Sequence, residues 1–140
     1  MKRPFDTIIV HCTATKAGRA VHVDDVRKWH QAQGWDDIGY HYLIALDGTI
    51  EVGRNIDVMG AHCRGHNYGS VGICYVGGLD PDGKPADTRT PAQKESLARL
   101  IWRLSLIAAN KGWGLPKVRG HRDYTKSKAC PCFDARQEYD

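Results

Sequence analysis

Residues Tyr40–Val52 read YHYLIALDGTIEV, two short runs rich in aromatic and β-branched residues on either side of Asp47-Gly48. An Asp-Gly pair between such runs is a strong hairpin signal, because a tight turn needs the positive φ that glycine takes without strain. It predicts strands over Tyr40–Leu46 and Thr49–Val52. Upstream, Thr7–Cys12 (TIIVHC) is a short apolar run that fits a buried strand ending at His11, and Thr13–His22 reads as a loop. Val23–Gln33 reads as a short amphipathic helix. Val26, Trp29 and His30 recur at helical spacing, Asp24 and Asp25 lie in the first turn, and Gly34 stands where a helix-ending glycine belongs.

Downstream, Asn55–Ser70 has no period and is rich in Gly, His and Asn, as an irregular loop would be. Val71–Val76 (VGICYV) reads as another core strand, and Leu79–Arg89, with its Pro, Gly and Asp, as an exposed connection. Thr90-Pro91-Ala92-Gln93 opens a helix, with Thr as N-cap, Pro in the first turn and Gln at the capping-box position. Leu97, Leu100, Ile101, Leu104, Ile107 and Ala108 form one stripe of that helix, which should end before Gly112. Lys117–His121 is a last strand, and Asp134 can cap a short terminal helix. Strands mixed with helices and one hairpin imply an α/β fold. We expect a single domain over residues 1–140, with a mixed central β-sheet flanked by α-helices.

The chain has 140 residues, enough to bury a real core, with an ordinary 41% hydrophobic and 26% charged composition. It contains no run of eighteen apolar residues, so no membrane span is expected. MKRPFDTIIVHC at the N-terminus reads as a strand and not as a signal peptide, which implies synthesis in the cytoplasm. A net charge of +4 is compatible with an anionic polymer such as nucleic acid or bacterial cell wall, but most proteins with this balance are simply soluble. Five cysteines without a repeating framework argue for free thiols, some of them available to a metal.

The chemistry-bearing stretch is Lys117–Asp134, KVRGHRDYTKSKACPCFD, which carries His121, Lys128, Cys130 and Cys132. His121 and Cys130 are too far apart to share one helical face; their spacing suits a strand end and a loop that folds back on it. A neutral imidazole and a thiolate are two of the three protein ligands a catalytic zinc needs, with water in the fourth position. His11 ends a strand in the same manner and is the candidate third ligand. Seven histidines are present, and a single one is more often a hydrogen-bonded residue than a ligand, so scattered polar residues remain the competing reading.

HCTAT at His11–Thr15, QGWDDIGYHYLI at Gln33–Ile44, DGTIEVGR at Asp47–Arg54 and KACPCFD at Lys128–Asp134 resemble the type-2 N-acetylmuramoyl-L-alanine amidases, and among them the lysozymes of T7-type bacteriophages. The likeness runs in order over nearly the whole chain and includes VGICYVGG and TPAQ. It implies the type-2 amidase, or peptidoglycan-recognition-like, fold. It further implies one Zn2+ per chain held by His11, His121 and Cys130, with Tyr40 (from GYH) and Lys128 (from KAC) as catalytic residues. In that reading zinc brings the pKa of its water towards ~7, Tyr40 orients the water or bonds the oxyanion, and Lys128 faces the tetrahedral oxygen. Read alone, Tyr40 fits a sheet aromatic and Lys128 a solvated charge equally well.

Cys132 is expected to be a small neighbour and not a fourth ligand, because a closed site leaves no room for water. By strand alternation His41 is expected to point away from Tyr40 and be structural, with Cys12, Cys63 and Cys74 as packing thiols. His62, Arg64, His66 and Asn67 are candidates for lining a groove for sugar and peptide.

The resemblance implies a monomeric phage or prophage endolysin. It would cleave the bond between N-acetylmuramic acid and L-alanine in peptidoglycan, with no nucleic-acid or membrane partner. It would wait in the host cytoplasm until a holin-type protein opens the inner membrane. One alternative is a non-catalytic peptidoglycan-recognition module, which Cys130 and Tyr40 argue against. Another is an additional role as inhibitor of a phage RNA polymerase, for which the chain carries no compact motif.

Overall fold

Thr7–Cys12 is buried along its whole length, and in the computed structural model, which describes residues 1–140, it forms the strand β1. Ser70–Tyr75 (β5) and Lys117–Gly120 (β7) flank it, both parallel to it, with Thr7 beside Ser70 and Lys117. On the outer side of β5 lies Tyr42–Ile44 (β3), also parallel, and Ile50–Val52 (β4) closes the hairpin antiparallel to β3. The sheet order is β4-β3-β5-β1-β7. A strand with parallel neighbours on both sides is expected to be apolar on both faces, which explains the unbroken burial of β1 and β5.

The hairpin turn is as expected: Gly48 has φ +88°, its N–H donates to Ala45 O, and Asp47 Oδ1 accepts from the Thr49 N–H. Its strands are shorter than the sequence predicts, because the chain at Tyr40-His41 bends before the ladder begins.

Alternation along β1 and β5 sorts the core into two faces. Ile8, Val10, Val71, Ile73 and Tyr75 face one side. Against them lies Pro91–Asn110 (α2), through Leu97, Leu100, Ile101, Leu104 and Ala108. The α2 N-terminus carries a full capping box between Thr90 and Gln93, and the buried Gln93 amide also donates to Ile44 O, at the end of β3, and to Val76 O, just beyond β5. Ile107, expected on this stripe, is only partly buried.

On the other face, Leu43 and Cys74 meet Val23 and Val26 of Val23–Ala32 (α1), together with Ile38. Gly34 follows α1 with φ +95°, as a helix-ending glycine. Trp29, expected in the core, is 37% exposed under the Arg19 guanidinium.

Two expectations need correction. Thr13–His22 is not all loop: Thr15–Lys16 (β2) pairs with Gly78–Leu79 (β6) in a small parallel ladder. Arg89 is not exposed; its side chain is 2% exposed. It lies 3.4 Å from the Phe133 ring and makes paired contacts to both Asp87 and Glu138. Asp87, Glu138 and the stacked ring satisfy the guanidinium, which explains how a charge can be held there. It thereby ties Ala135–Tyr139 (α3), capped by Asp134 as expected, to the sheet. No helix is long and apolar enough to cross a membrane.

Leu104 is 1% exposed against β1 and β5, whereas Trp102, two residues away, is 65% exposed. Urea denaturation of Leu104→Ala should show a loss of about 2–5 kcal/mol, against a change within about 0.5 kcal/mol for Trp102→Ala.

Candidate metal centre

His11 sits in the last turn of the pleat on β1, paired with Cys74 and on the face opposite α2. It is 1% exposed. Burial, with His62 and His121 alongside, holds its pKa well below 6.5, so it is a neutral imidazole. Its Nε2 is 2.8 Å from His62 Nδ1, while its Nδ1 has no protein partner at all. Buried polar atoms are almost always partnered, so an orphan nitrogen in a core strand points to something outside the chain.

Two further groups surround it. His121 follows β7 directly; the sequence reading makes it the last residue of the strand, but it begins a short 3₁₀ turn, His121–Asp123. The turn swings the ring towards β1, with centroids 4.7 Å apart for His11 and His121. Cys130 arrives on the loop that folds back. Its Sγ accepts from the Cys12 N–H at 3.2 Å, its carbonyl accepts from Arg122 N, and the next carbonyl, of Pro131, accepts from the buried Tyr75 hydroxyl at 2.6 Å. Gly120 allows this close approach, because a Cβ there would sit 2.7 Å from the Pro131 ring. As a result, one ligand atom from each of His11, His121 and Cys130 lies within 4.8 Å of the other two. Two neutral imidazoles and a thiol make a donor set suited to a borderline-soft divalent ion.

Tyr40 lies beside this cluster, its ring centroid 5.0 Å from that of His11 and 5.5 Å from that of His30. Burial, reinforced by the thiols of Cys74, Cys130 and Cys12, holds its pKa well above 10, so it is a neutral O–H. Lys128 is exposed and lines a cleft of about 480 Å3 with His121, Thr125, Trp35, Arg64 and Gly65.

Cys132 is turned away from the cluster, its Sγ 3.9 Å from Cys12 Sγ. Cys12 itself packs in the α2-facing core, and Cys63 and Cys74 are buried thiols. His41 bonds only backbone groups at close range, accepting from Gly72 N at Nδ1 and donating to Val58 O from Nε2. It does not lie on the face opposite Tyr40, however: its ring is 5.9 Å from that of His62, in the same layer as His11, because both residues precede the ladder and strict alternation does not reach them.

The Ala61–Asn67 loop divides the residues expected in a groove. His62, Arg64 and Asn67 line the cleft, and Asn67 Oδ1 also holds the loop by accepting from the N–H groups of His62 and Cys63; His66 instead stacks on Tyr124 at 4.0 Å. His62 is different. It is 8% exposed, bonds His11 from behind, and burial lowers its pKa to about 3. Nothing in the sequence separates His62 from His66 as the one that turns inward. Trp35, also missed, forms a wall of the cleft against His30.

A parallel-centred α/β sheet with two histidines and a cysteine converging at strand ends defines a candidate metallohydrolase. The sequence matches the family model described as N-acetylmuramoyl-L-alanine amidase over residues 1–133, and the chain belongs to that family. It is 44% identical over 132 residues to the endolysin of Escherichia phage T7, an alignment spanning 94% of this chain and 83% of that relative. Its fold is similar to that of the N-acetylmuramoyl-L-alanine amidase LysC from Clostridium intestinale, with TM-score 0.79 and 26% identity over 97% of this chain and 82% of LysC. It is also similar to that of Drosophila PGRP-LB, with TM-score 0.73 and 28% identity over 97% and 78% of the two chains.

The buried histidines give the fold a pH dependence. An unfolded imidazole takes up a proton near pH 6.5, but burial holds His41 unprotonated to about 4. Unfolding therefore takes up a proton between these values, and stability present above pH 6.5 is lost as the pH falls. Urea denaturation in the presence of a chelator should show His41 alone removing about 2–3 kcal/mol by pH 4.5. Equal stability at pH 7 and pH 4.5 would refute this.

Proposed function

We propose that the protein is a zinc-dependent peptidoglycan amidase of the endolysin type, hydrolysing the amide between the lactyl group of N-acetylmuramic acid and L-alanine. The observation that carries the reading is the unpartnered, buried His11 Nδ1 beside His121 and Cys130, in a chain of the N-acetylmuramoyl-L-alanine amidase family. His11, His121 and Cys130 would hold one Zn2+. When bound, the ion supplies Lewis acidity and lowers the pKa of water towards ~7.

The chain's own groups do the rest. The Cys12 N–H donates to Cys130 Sγ and so orients the sulfur towards the two imidazoles. Tyr40, neutral and held against His11, offers an O–H to orient the attacking water or to bond the oxygen on which charge develops. Lys128, on the open cleft beside His121, brings a positive charge to the same oxygen. The cleft walls, Trp35 and Arg64 among them, would seat sugar and peptide. Water adds to the carbonyl carbon, the C–N bond breaks, and the products are a lactyl carboxylate and a free L-alanine amine. The protein would collect in the host cytoplasm and reach the wall once a holin-type protein opens the inner membrane.

Mass spectrometry of digested peptidoglycan should find free stem peptides with an L-alanine N-terminus; severed glycan strands with intact amides would overturn the assignment. Metal analysis should find about one zinc per chain, and its absence after gentle purification would sink the zinc reading. Cys130→Ser should lose both metal and turnover. Lys128→Ala and Tyr40→Phe should each keep the metal and lose on the order of a hundredfold in rate. Wild-type turnover in either variant would remove that residue from the mechanism.

A further inference from the structure

The orphan nitrogen of His11 raises the question of what keeps a proton off it. A neutral imidazole carries its one N–H on either ring nitrogen, and only the bare nitrogen can bind a metal. The answer lies behind the ring, in groups the mechanism above does not use. Ser70 is 1% exposed, and its Oγ is 2.7 Å from His66 O and 3.2 Å from Asn67 O. Carbonyls only accept, so the single Ser70 hydroxyl hydrogen is committed to them. His62 Nε2, 3.3 Å from the same Oγ, can then bond it only by donating. With its proton on Nε2, neutral His62 has a bare Nδ1, and that atom is 2.8 Å from His11 Nε2. His11 must therefore carry its proton on Nε2 and leave Nδ1 bare, facing His121 and Cys130.

We propose that His62 is a positioning residue, the middle of a His66/Asn67 carbonyl–Ser70–His62–His11 hydrogen-bond chain that fixes the tautomer and ring angle of His11 for metal binding. The inference rests on the zinc reading only for its consequence; the proton positions follow from the chain's own hydrogen bonds.

The surroundings are shaped for this ring. A Cβ on Gly72 of β5 would come within 2.6 Å of His62 Cγ, and one on Gly60 within 2.6 Å of its Cδ2. Two glycines from separate segments thus open the slot that holds the imidazole flat behind His11. Asn67 pins the backbone from the other side. A strand-interior glycine weakens a sheet, so Gly72 in VGICY is accounted for by the ring it admits.

The test uses the full chain. Nitrogen-15 NMR of the metal-free wild type at neutral pH should find both His11 and His62 protonated on Nε2. A proton on His62 Nδ1 would overturn the proposal. Chelator competition should then show the zinc dissociation constant of His62→Ala raised about 10- to 100-fold. In His62→Asn, whose amide oxygen can stand where Nδ1 stood and accept from His11, most of that loss should be recovered. Equal zinc affinity in wild type and a folded His62→Ala would also overturn it, as would an equal loss in the alanine and asparagine variants. If the alanine variant does not fold, the wild-type tautomers and the asparagine variant still decide. A wild type with the expected tautomers that takes up no zinc would sink the zinc reading while leaving the chain of protons intact.

Discussion

A histidine buried in an interior strand of a parallel-centred sheet is the constraint on which this structure turns. Leaving a buried polar group unpaired costs about 1–3 kcal/mol, and His11 is only 1% exposed to bulk solvent. One nitrogen is met by His62, which needs a slot through β5 and a serine behind it. The other is met by no protein atom, and the strand and loop that follow α2 converge on it. The apolar remainder of β1 fixes where this happens, since a one-residue slip would turn His11 into the α2-facing core and Val10 out of it.

The other half of the cluster is held differently. His121 is half-buried and Cys130 sits on irregular backbone, so neither position is set by a ladder. It is set by tethers: Cys12 N–H to Cys130 Sγ, Arg122 N–H to Cys130 O, Tyr75 hydroxyl to Pro131 O, and Arg89 beneath Phe133. Every tether begins on the sheet or on a segment packed to it. The loop's shape is therefore dictated by the scaffold, which is how an irregular segment can present a side chain with the accuracy a metal requires.

Much of the fold is legible in the sequence because its signals are local. TIIVHC, the Asp47-Gly48 turn, Gly34 and the Thr90–Gln93 cap each act within a few residues, and each lies where periodicity and turn chemistry put it. The β2–β6 ladder was not legible, since two residues on each side leave no pattern and the pairing depends on the sheet bringing them together. The buried state of Arg89 was hidden for the same reason, as its carboxylate partner Glu138 is 49 residues away. At the site, the strand-end positions of His11 and His121 and the candidacy of Cys130 could be read from pattern, whereas their union as one ligand set, with Tyr40 and Lys128 beside it, came from the resemblance. His62 could not be picked from its loop at all, because what selects it is the space that Gly60 and, from β5, Gly72 leave for its ring, together with the Ser70 hydroxyl.

The asymmetry of exposure then orders the site. His11, His62 and Ser70 are buried, and the low dielectric around them strengthens their hydrogen bonds and keeps both imidazoles neutral. His121, Lys128 and Trp35 face the cleft. An anion or a carbonyl entering the cleft thus meets the exposed charge of Lys128, while the relay behind His11, His62 and Ser70, is made of neutral groups. The nearest cation behind that relay, Arg3, is engaged with the carbonyls of Ile56 and Ser70 and does not hydrogen-bond His62 or His11. The same burial that makes the histidines sensitive to acid keeps the two imidazoles uncharged, and Lys128 stands at the mouth, where a developing oxyanion would meet it.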